Sequence, residues 1–280
     1  MSNYFTGKND FAPATAPAGR NGAGGVRGAY AAAEKIRAFD PAPQVIQRVA
    51  FNGLLTNKLL TALPGEDFTR LLPHLEPVSL AGVENVYDLR DGAQFAYFPE
   101  GALISQLHVL SDGGTIEAAM IGRDGMIGLS AVFGAPAPSC WTQVAIAGSA
   151  LRVRTETLRA EFARGGALQH LLLGYASARM AQLAQKAVCN GRHSVRQRTC
   201  CWLLMAHDRT GENTLPLTHE QIARHVGTRR AAVTEIANDF RDSGCISYSR
   251  GRITISDRPG LEAAACECYH ELNRSRAAVN

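Results

Sequence analysis

The stretch from Thr218 to Ser243 limits what this chain can fold into more than any other. Thr218-His-Glu-Gln221 sets a hydroxyl at a helix start and an amide side chain three residues on, an arrangement that satisfies two backbone donors reciprocally. A helix is expected to begin at Thr218 and to stop at Gly227. Thr228 is then placed to cap a second helix that opens Arg229-Arg-Ala-Ala-Val-Thr-Glu-Ile236 and runs to Ser243. Two helices about a tight glycine turn make a helix-turn-helix.

On the second helix Val233, Ile236, Ala237 and Phe240 share the inner face. Ala231, Glu235 and Asn238 point away from it, and Arg230 and Thr234 flank it. Gly244 closes the helix, and Ile246-Ser-Tyr248 and Ile253-Thr-Ile255 read as short strands around a basic tip, Arg250-Gly-Arg252. That tip is a wing. A major groove about 12 Å wide admits one helix, whose leading side chains meet base edges. Arg230 is the natural guanine reader, and Arg229, Arg250 and Arg252 are expected on phosphates. Thr228, Ala231, Thr234 and Glu235 complete the candidate DNA-binding set.

Upstream the texture changes twice. Residues 1–45 are dominated by Ala, Gly and Pro and are expected to form a disordered tail. A short helical segment follows from Asn52, its apolar face carried by Phe68, Leu71, Leu72 and Leu75 and interrupted by Pro73. Between about 76 and 154, short apolar runs alternate with turns such as Asp91-Gly92, Asp112-Gly-Gly114 and Arg123-Asp-Gly125, the spacing of an antiparallel sandwich or barrel. Ala102–Leu110 and Thr115–Ile121 read as a hairpin. From Arg159 to Cys189 the pattern is helical, and Leu173, Ala176, Met180, Leu183 and Ala187 form a coiled-coil seam. The seam predicts pairing with a second copy, the alternative being a helix packed on its own β domain. Another helix follows Ser194, with Val195, Thr199, Trp202, Leu203 and Ala206 on one face and Gly211 at its end.

The expected architecture is therefore α+β. It has a β sensor domain over 46–158, a dimerisation helix over 159–190 and a winged helix-turn-helix over 191–280. A formal charge of +4 permits contact with nucleic acid without demanding it. No run approaches the roughly 18 apolar residues of a membrane span, and the N-terminus lacks a basic segment followed by a hydrophobic one, so a cytoplasmic protein is expected. Seven cysteines without framework spacing predict reduced, mostly buried thiols, with Cys200-Cys201 in a core beside Trp202. Cys266-Glu-Cys268 with His270 suggests a metal or redox site, but two thiols and one imidazole lack a fourth ligand, and no metal is assigned. His108 and the acidic residues of the β region form no catalytic motif, so no enzyme is expected. A sensing dimer acting through protein partners without DNA would tolerate an acidic recognition helix and a wing without arginines, which Arg229, Arg230, Arg250 and Arg252 oppose.

The segment Leu217-Thr-His-Glu-Gln-Ile-Ala-Arg-His-Val-Gly-Thr-Arg-Arg-Ala-Ala-Val-Thr-Glu-Ile236 resembles the Crp/Fnr family of bacterial regulators, and the likeness extends over about 50–270. The resemblance implies an N-terminal antiparallel β-roll of the cyclic-nucleotide-binding type, a long dimerisation helix and a C-terminal winged helix-turn-helix. It further implies a homodimer on palindromic promoter DNA, RNA polymerase as another partner, and Arg230 as the base-contacting arginine. Ala231 and Glu235 replace polar and basic residues of the family's best-known member, so its operator sequence does not carry over. In the cassette that holds ribose and cyclic phosphate, Leu129 stands for the ribose-binding Glu and Ser139 for the phosphate-binding Arg. Without that guanidinium a buried phosphate loses a charge-assisted bond, and cyclic AMP is not expected as the ligand. Gly128, Leu129, Ser130, Ser139 and Cys140 are the candidate effector pocket, its effector unknown. The first cysteine is Cys140, so the N-terminal cysteine cluster that holds an iron-sulfur centre is missing, and no cofactor is expected.

Overall fold

A computed structural model describes residues 55–87, 93–111, 114–135 and 140–277. The expected tail over 1–45, the helix start at Asn52 and Ser139 lie outside the described residues. The chain enters through α1 (Lys58–Thr61), capped by Asn57, whose side-chain oxygen accepts from the Leu59 and Leu60 amides. The Asn57 amide donates to the carbonyls of Pro99 and Gly125, each at 2.9 Å, so a fully buried polar group is satisfied on every side. Next come α2 (Gly65–Leu71) and a single 3₁₀ turn, Leu72–His74, where Pro73 ends the α-helical bonding.

Six strands follow: β1 (Glu76–Leu80), β2 (Phe95–Pro99), β3 (Leu103–Val109), β4 (Thr115–Ile121), β5 (Trp141–Ile146) and β6 (Gly148–Arg154). They form two antiparallel three-stranded sheets, ordered β1-β6-β2 and β4-β3-β5. The expected hairpin is β3 with β4, Ile104 opposite Ile121 and Val109 opposite Thr115, with a bulge between Gln106 and Leu107. Tyr87, Tyr97, Ile104, Ala119, Ile121 and Ile127 fill the interior. A short helix, α3 (Leu129–Val132), lies in the cassette between β4 and β5.

Helix runs from Thr155 rather than Arg159, and it is broken. Gly165 and Gly166 both take φ near +79°, a conformation that glycine adopts without a Cβ penalty, and they divide α4 (Thr155–Ala163) from α5 (Gly166–Arg192). At 1.5 Å per residue α5 is about 40 Å long. Its inner face, Leu168, Leu172, Tyr175, Gln182 and Cys189, packs on the rest of the chain. The opposite stripe is left bare: Leu173 is 48% exposed, Met180 70% and Leu183 43%.

Only His193 and Ser194 separate α5 from α6 (Val195–Thr210), which is held at its start by a Ser194–Gln197 capping box and stopped by Gly211 at φ +77°. Beyond it lie β7 (Thr214–Leu215), α7 (His219–Val226), α8 (Arg230–Asp242), β8 (Ile246–Ser249), β9 (Arg252–Ile255), α9 (Arg258–Ala264) and α10 (Cys268–Ala277). The three strands form one sheet, ordered β7-β9-β8. Cys200, Cys201, Trp202, Leu203, Leu217, Ile222, Val233 and Phe240 are its buried core. Among the described residues no helix is long and apolar enough to cross a membrane.

Candidate nucleic-acid interface

At the start of α7 the Thr218 hydroxyl accepts from the Gln221 amide at 3.2 Å, while the Gln221 side chain accepts from the Thr218 amide at 2.9 Å. At its end Gly227 turns left-handed with φ +70°, and the amides of Gly227 and Thr228 both donate to the Ala223 carbonyl. Thr228 is thereby committed to closing α7. The residue at the cap of α8 is instead Arg229, in extended conformation and without a side-chain bond, and the helix opens at Arg230, one position later than expected. It ends at Asp242, with Ser243 as its C-terminal cap.

The division of faces on α8 is as the periodicity predicts. Val233, Ala237 and Phe240 are buried and Ile236 half-buried, while Arg229, Arg230, Ala231, Glu235 and Asn238 are exposed. Thr228 and Thr234 are half-buried. Thr234 is also engaged internally: its hydroxyl donates to the Arg230 carbonyl at 3.0 Å and lies 3.1 Å from Nδ1 of His219. The His219 ring stacks on Tyr248 of the wing, centroids 4.2 Å apart and planes 28° from parallel. Burial, reinforced by the positive charge of Arg230, holds the His219 pKa below the ordinary histidine value. His219 and Tyr248 therefore join the leading turns of α7 and α8 to the wing, a role that periodicity did not reveal.

In the wing Ser249 pairs with Arg252, and the tip is made by Arg250 at φ +48° and Gly251 at φ +74°, two left-handed residues in succession as a tight hairpin turn requires. Arg250 and Arg252 are exposed. Guanidinium groups thus stand free at the leading end of one helix and at the tip of the adjoining hairpin, where they can donate to phosphate oxygens or base edges.

Residues 197–264 match the family described as the Crp-like helix-turn-helix domain. This chain carries a Crp-like helix-turn-helix. A curated relative, the transcriptional regulator SdrP of Thermus thermophilus, is 31% identical over 99 residues, which are 35% of this chain and 48% of that protein. The matched segment thus spans about half of that relative's length. Among solved structures, FixK2 from Bradyrhizobium japonicum aligns with a TM-score of 0.60 at 16% identity, over 69% of this chain and 98% of its own. A chain assigned to the Crp/Fnr family from Eubacterium rectale aligns at 0.58 and 18% identity, over 75% and 98%. A CRP-family regulator from Thermus thermophilus aligns at 0.55 and 19%, over 67% and 96%. The fold is that of the Crp/Fnr regulators.

Two clusters tie the Crp-like domain to what precedes it. Glu117 of β4 is wholly buried, and its carboxylate meets Lys186 Nζ of α5 at 2.8 Å, Trp202 Nε1 of α6 at 3.1 Å, the Ser105 hydroxyl at 2.5 Å and His225 Nδ1 of α7 at 3.1 Å. Burial alone would raise the Glu117 pKa. The Lys186 ammonium and the His225 contact outweigh it and hold the carboxyl well below the usual range. Close by, β4 meets the turn of the Crp-like domain directly: a Cβ on Gly227 would come within 2.6 Å of the Ile116 side chain. A buried ion pair, Arg209 to Asp124 at 3.2 Å, binds α6 to the turn after β4.

The second cluster corrects the reading of Cys266, Cys268 and His270. His270 is exposed and packs against Tyr269 instead. Two positions after Cys268 on a helix, it faces another direction. The groups that converge on the two cysteines are Cys189 from the last turn of α5 and His193, the cap that follows it, and the four ligand atoms lie within 4.8 Å of one another. The neighbouring thiols, Cys201 first and then Cys189, pull the Cys266 pKa below the ordinary thiol value against the effect of burial.

In the cassette, Gly128 is buried at φ +92°, where a Cβ would lie 2.8 Å from the Tyr87 hydroxyl. Leu129 packs into the core with Phe98, Val132 and Leu172, Ser130 is exposed and Cys140 half-buried. Leu129 offers this site an apolar surface and no ribose partner.

Proposed function

We propose that this chain is a sequence-specific transcription regulator that binds palindromic promoter DNA as a homodimer. The observation that carries the reading is the joint exposure of Arg229 and Arg230 at the opening of α8 and of Arg250 and Arg252 on the wing beside it. Arg230 reads a base edge, with Ala231, Thr234 and Glu235 lining the same face, and Thr228, Arg229, Arg250 and Arg252 fix the protein on the backbone. The bare stripe of Leu173, Met180 and Leu183, with Ala176 and Ala187 in the same seam, supports association through α5. The β domain over 46–158 is the sensor, and α5 is the core of the dimerisation segment. The cassette that carries Gly128, Leu129, Ser130 and Cys140 is the proposed site for an effector other than cyclic AMP. The protein works in the cytoplasm, with RNA polymerase as a further partner and no enzymatic step of its own.

The test is recovery of bound fragments from sheared genomic DNA by the purified full chain. The expected result is one motif with two-fold symmetry. Recovery without sequence preference, or of motifs lacking symmetry, overturns the reading.

A further inference from the structure

The joint between α5 and the Crp-like domain gathers more metal-binding chemistry than packing requires. Cys189 and His193 are four residues apart, so the end of α5 turns both toward the same side. Cys268 opens α10, and Cys266 lies two residues before it. The sulfurs of Cys189 and Cys266 are 3.6 Å apart, and Cys268 Sγ is 3.4 Å from His193 Nδ1. With zinc–sulfur bonds of about 2.3 Å and zinc–nitrogen bonds of about 2.0 Å, a tetrahedron has edges of about 3.8 Å between sulfurs and about 3.5 Å from sulfur to nitrogen.

The surroundings are those of a ligand set. Nε2 of His193 lies 3.2 Å from the Glu267 carboxylate, which fixes the ring proton on that nitrogen and turns the lone pair of Nδ1 toward the thiols. The Gln185 amide donates to Cys268 Sγ at 3.0 Å, as it would to a thiolate. Ligand atoms within 4.8 Å of one another leave room for one ion, not for the several irons and bridging sulfides of a cluster. Three thiolates and an imidazole select a soft or borderline cation over calcium or magnesium.

We infer that Cys189, His193, Cys266 and Cys268 form a tetrahedral site for one divalent cation of the zinc class, which pins α10 to the end of α5. Binding takes the three cysteines as thiolates, any remaining thiol proton passing to solvent, while the imidazole gives its lone pair without losing a proton. The ion closes a loop that contains the Crp-like helix-turn-helix over 197–264.

The experiment uses the reduced, metal-stripped full chain, titrated with Co²⁺ and then with Zn²⁺. One Co²⁺ per chain is expected, with the visible absorption of a tetrahedral site and thiolate charge transfer in the near ultraviolet, all abolished by Zn²⁺. Cys268→Ser should lose about a third of the charge-transfer intensity. Glu267→Gln, a surface change that leaves the fold intact, should weaken binding about 10–100-fold. His270→Ala should bind as the parent does. The inference is overturned if the folded, reduced chain gives no such absorption. Binding that ignores both Cys268→Ser and Glu267→Gln also overturns it, as does a Cys189–Cys266 disulfide in the freshly isolated protein with no metal uptake after reduction.

Discussion

Lys186 of α5 reaches Glu117 of β4 at 2.8 Å, at a carboxylate that has no contact with solvent. Removing one partner of such a pair leaves the other charge buried and uncompensated, which costs about 3 kcal/mol even when the remaining group keeps some access to water. Glu117→Gln should lower stability by about that amount, measured by urea unfolding. The pH dependence has a definite sign. The folded carboxyl titrates below the unfolded one, so its contribution is complete above about pH 5 and is lost as pH falls below the unfolded value near 4.3. The parent should therefore lose stability on acidification through that window more steeply than the variant. Parallel curves would mean that the charge on Glu117 is not what couples β4 to α5.

Arg230 and Arg252 should fail differently on DNA. Arg230→Ala should weaken binding to the palindrome by about 1–3 kcal/mol in each half-site and flatten preference at one symmetric base pair. Arg252→Ala should weaken all sequences alike and make the logarithmic salt slope shallower by about one unit for each phosphate that its guanidinium neutralises. Binding to an operator library at several salt concentrations separates the two. A uniform loss for Arg230→Ala, with every base preference kept, would place its guanidinium on a phosphate.

Leu183→Glu sets a charge into the exposed stripe of α5 and, in the proposed dimer, against its own copy across the two-fold axis. Dimer dissociation should rise by roughly 100-fold, equivalent to about 3 kcal/mol, and operator binding should fall with it. Sedimentation as an unchanged dimer would locate the interface elsewhere.

Cyclic AMP and cyclic GMP should produce no binding heat at micromolar concentration and no change in DNA affinity. Leu129 is half-buried and packs against the core, an apolar side chain where the cassette would need a ribose partner. Calorimetric binding in the micromolar range would contradict this.

Much of the fold is legible in the sequence because its determinants are local. Both capping boxes, Ser194 with Gln197 and Thr218 with Gln221, are four-residue patterns, and the stops at Gly211 and Gly227 need only a left-handed glycine. The cap of α8 falls one residue later than the pattern suggests because two amides on the Ala223 carbonyl, Thr228 among them, extend the closure of α7 past its glycine. The break at Gly165-Gly166 is hidden by helical periodicity on both sides of it. The clusters are illegible for a different reason. Glu117 is 69 residues from Lys186 and 85 from Trp202, and Cys189 is 77 from Cys266, so no spacing within one element announces them. Along the chain the histidine nearest Cys266 and Cys268 is His270, whereas the helix turns that histidine outward and the fold brings in His193.

The junction of α5 and α6 is two residues long, and both are occupied: Ser194 by its capping box, His193 by Glu267 and Cys268. No slack is left there. In a two-fold dimer the gap between the paired recognition helices becomes a fixed gauge, set by side-chain chemistry far from any base. For the proposed dimer, operators whose half-sites match that gauge should engage both arms, and a site with one base pair added or removed at its centre should be refused on length alone.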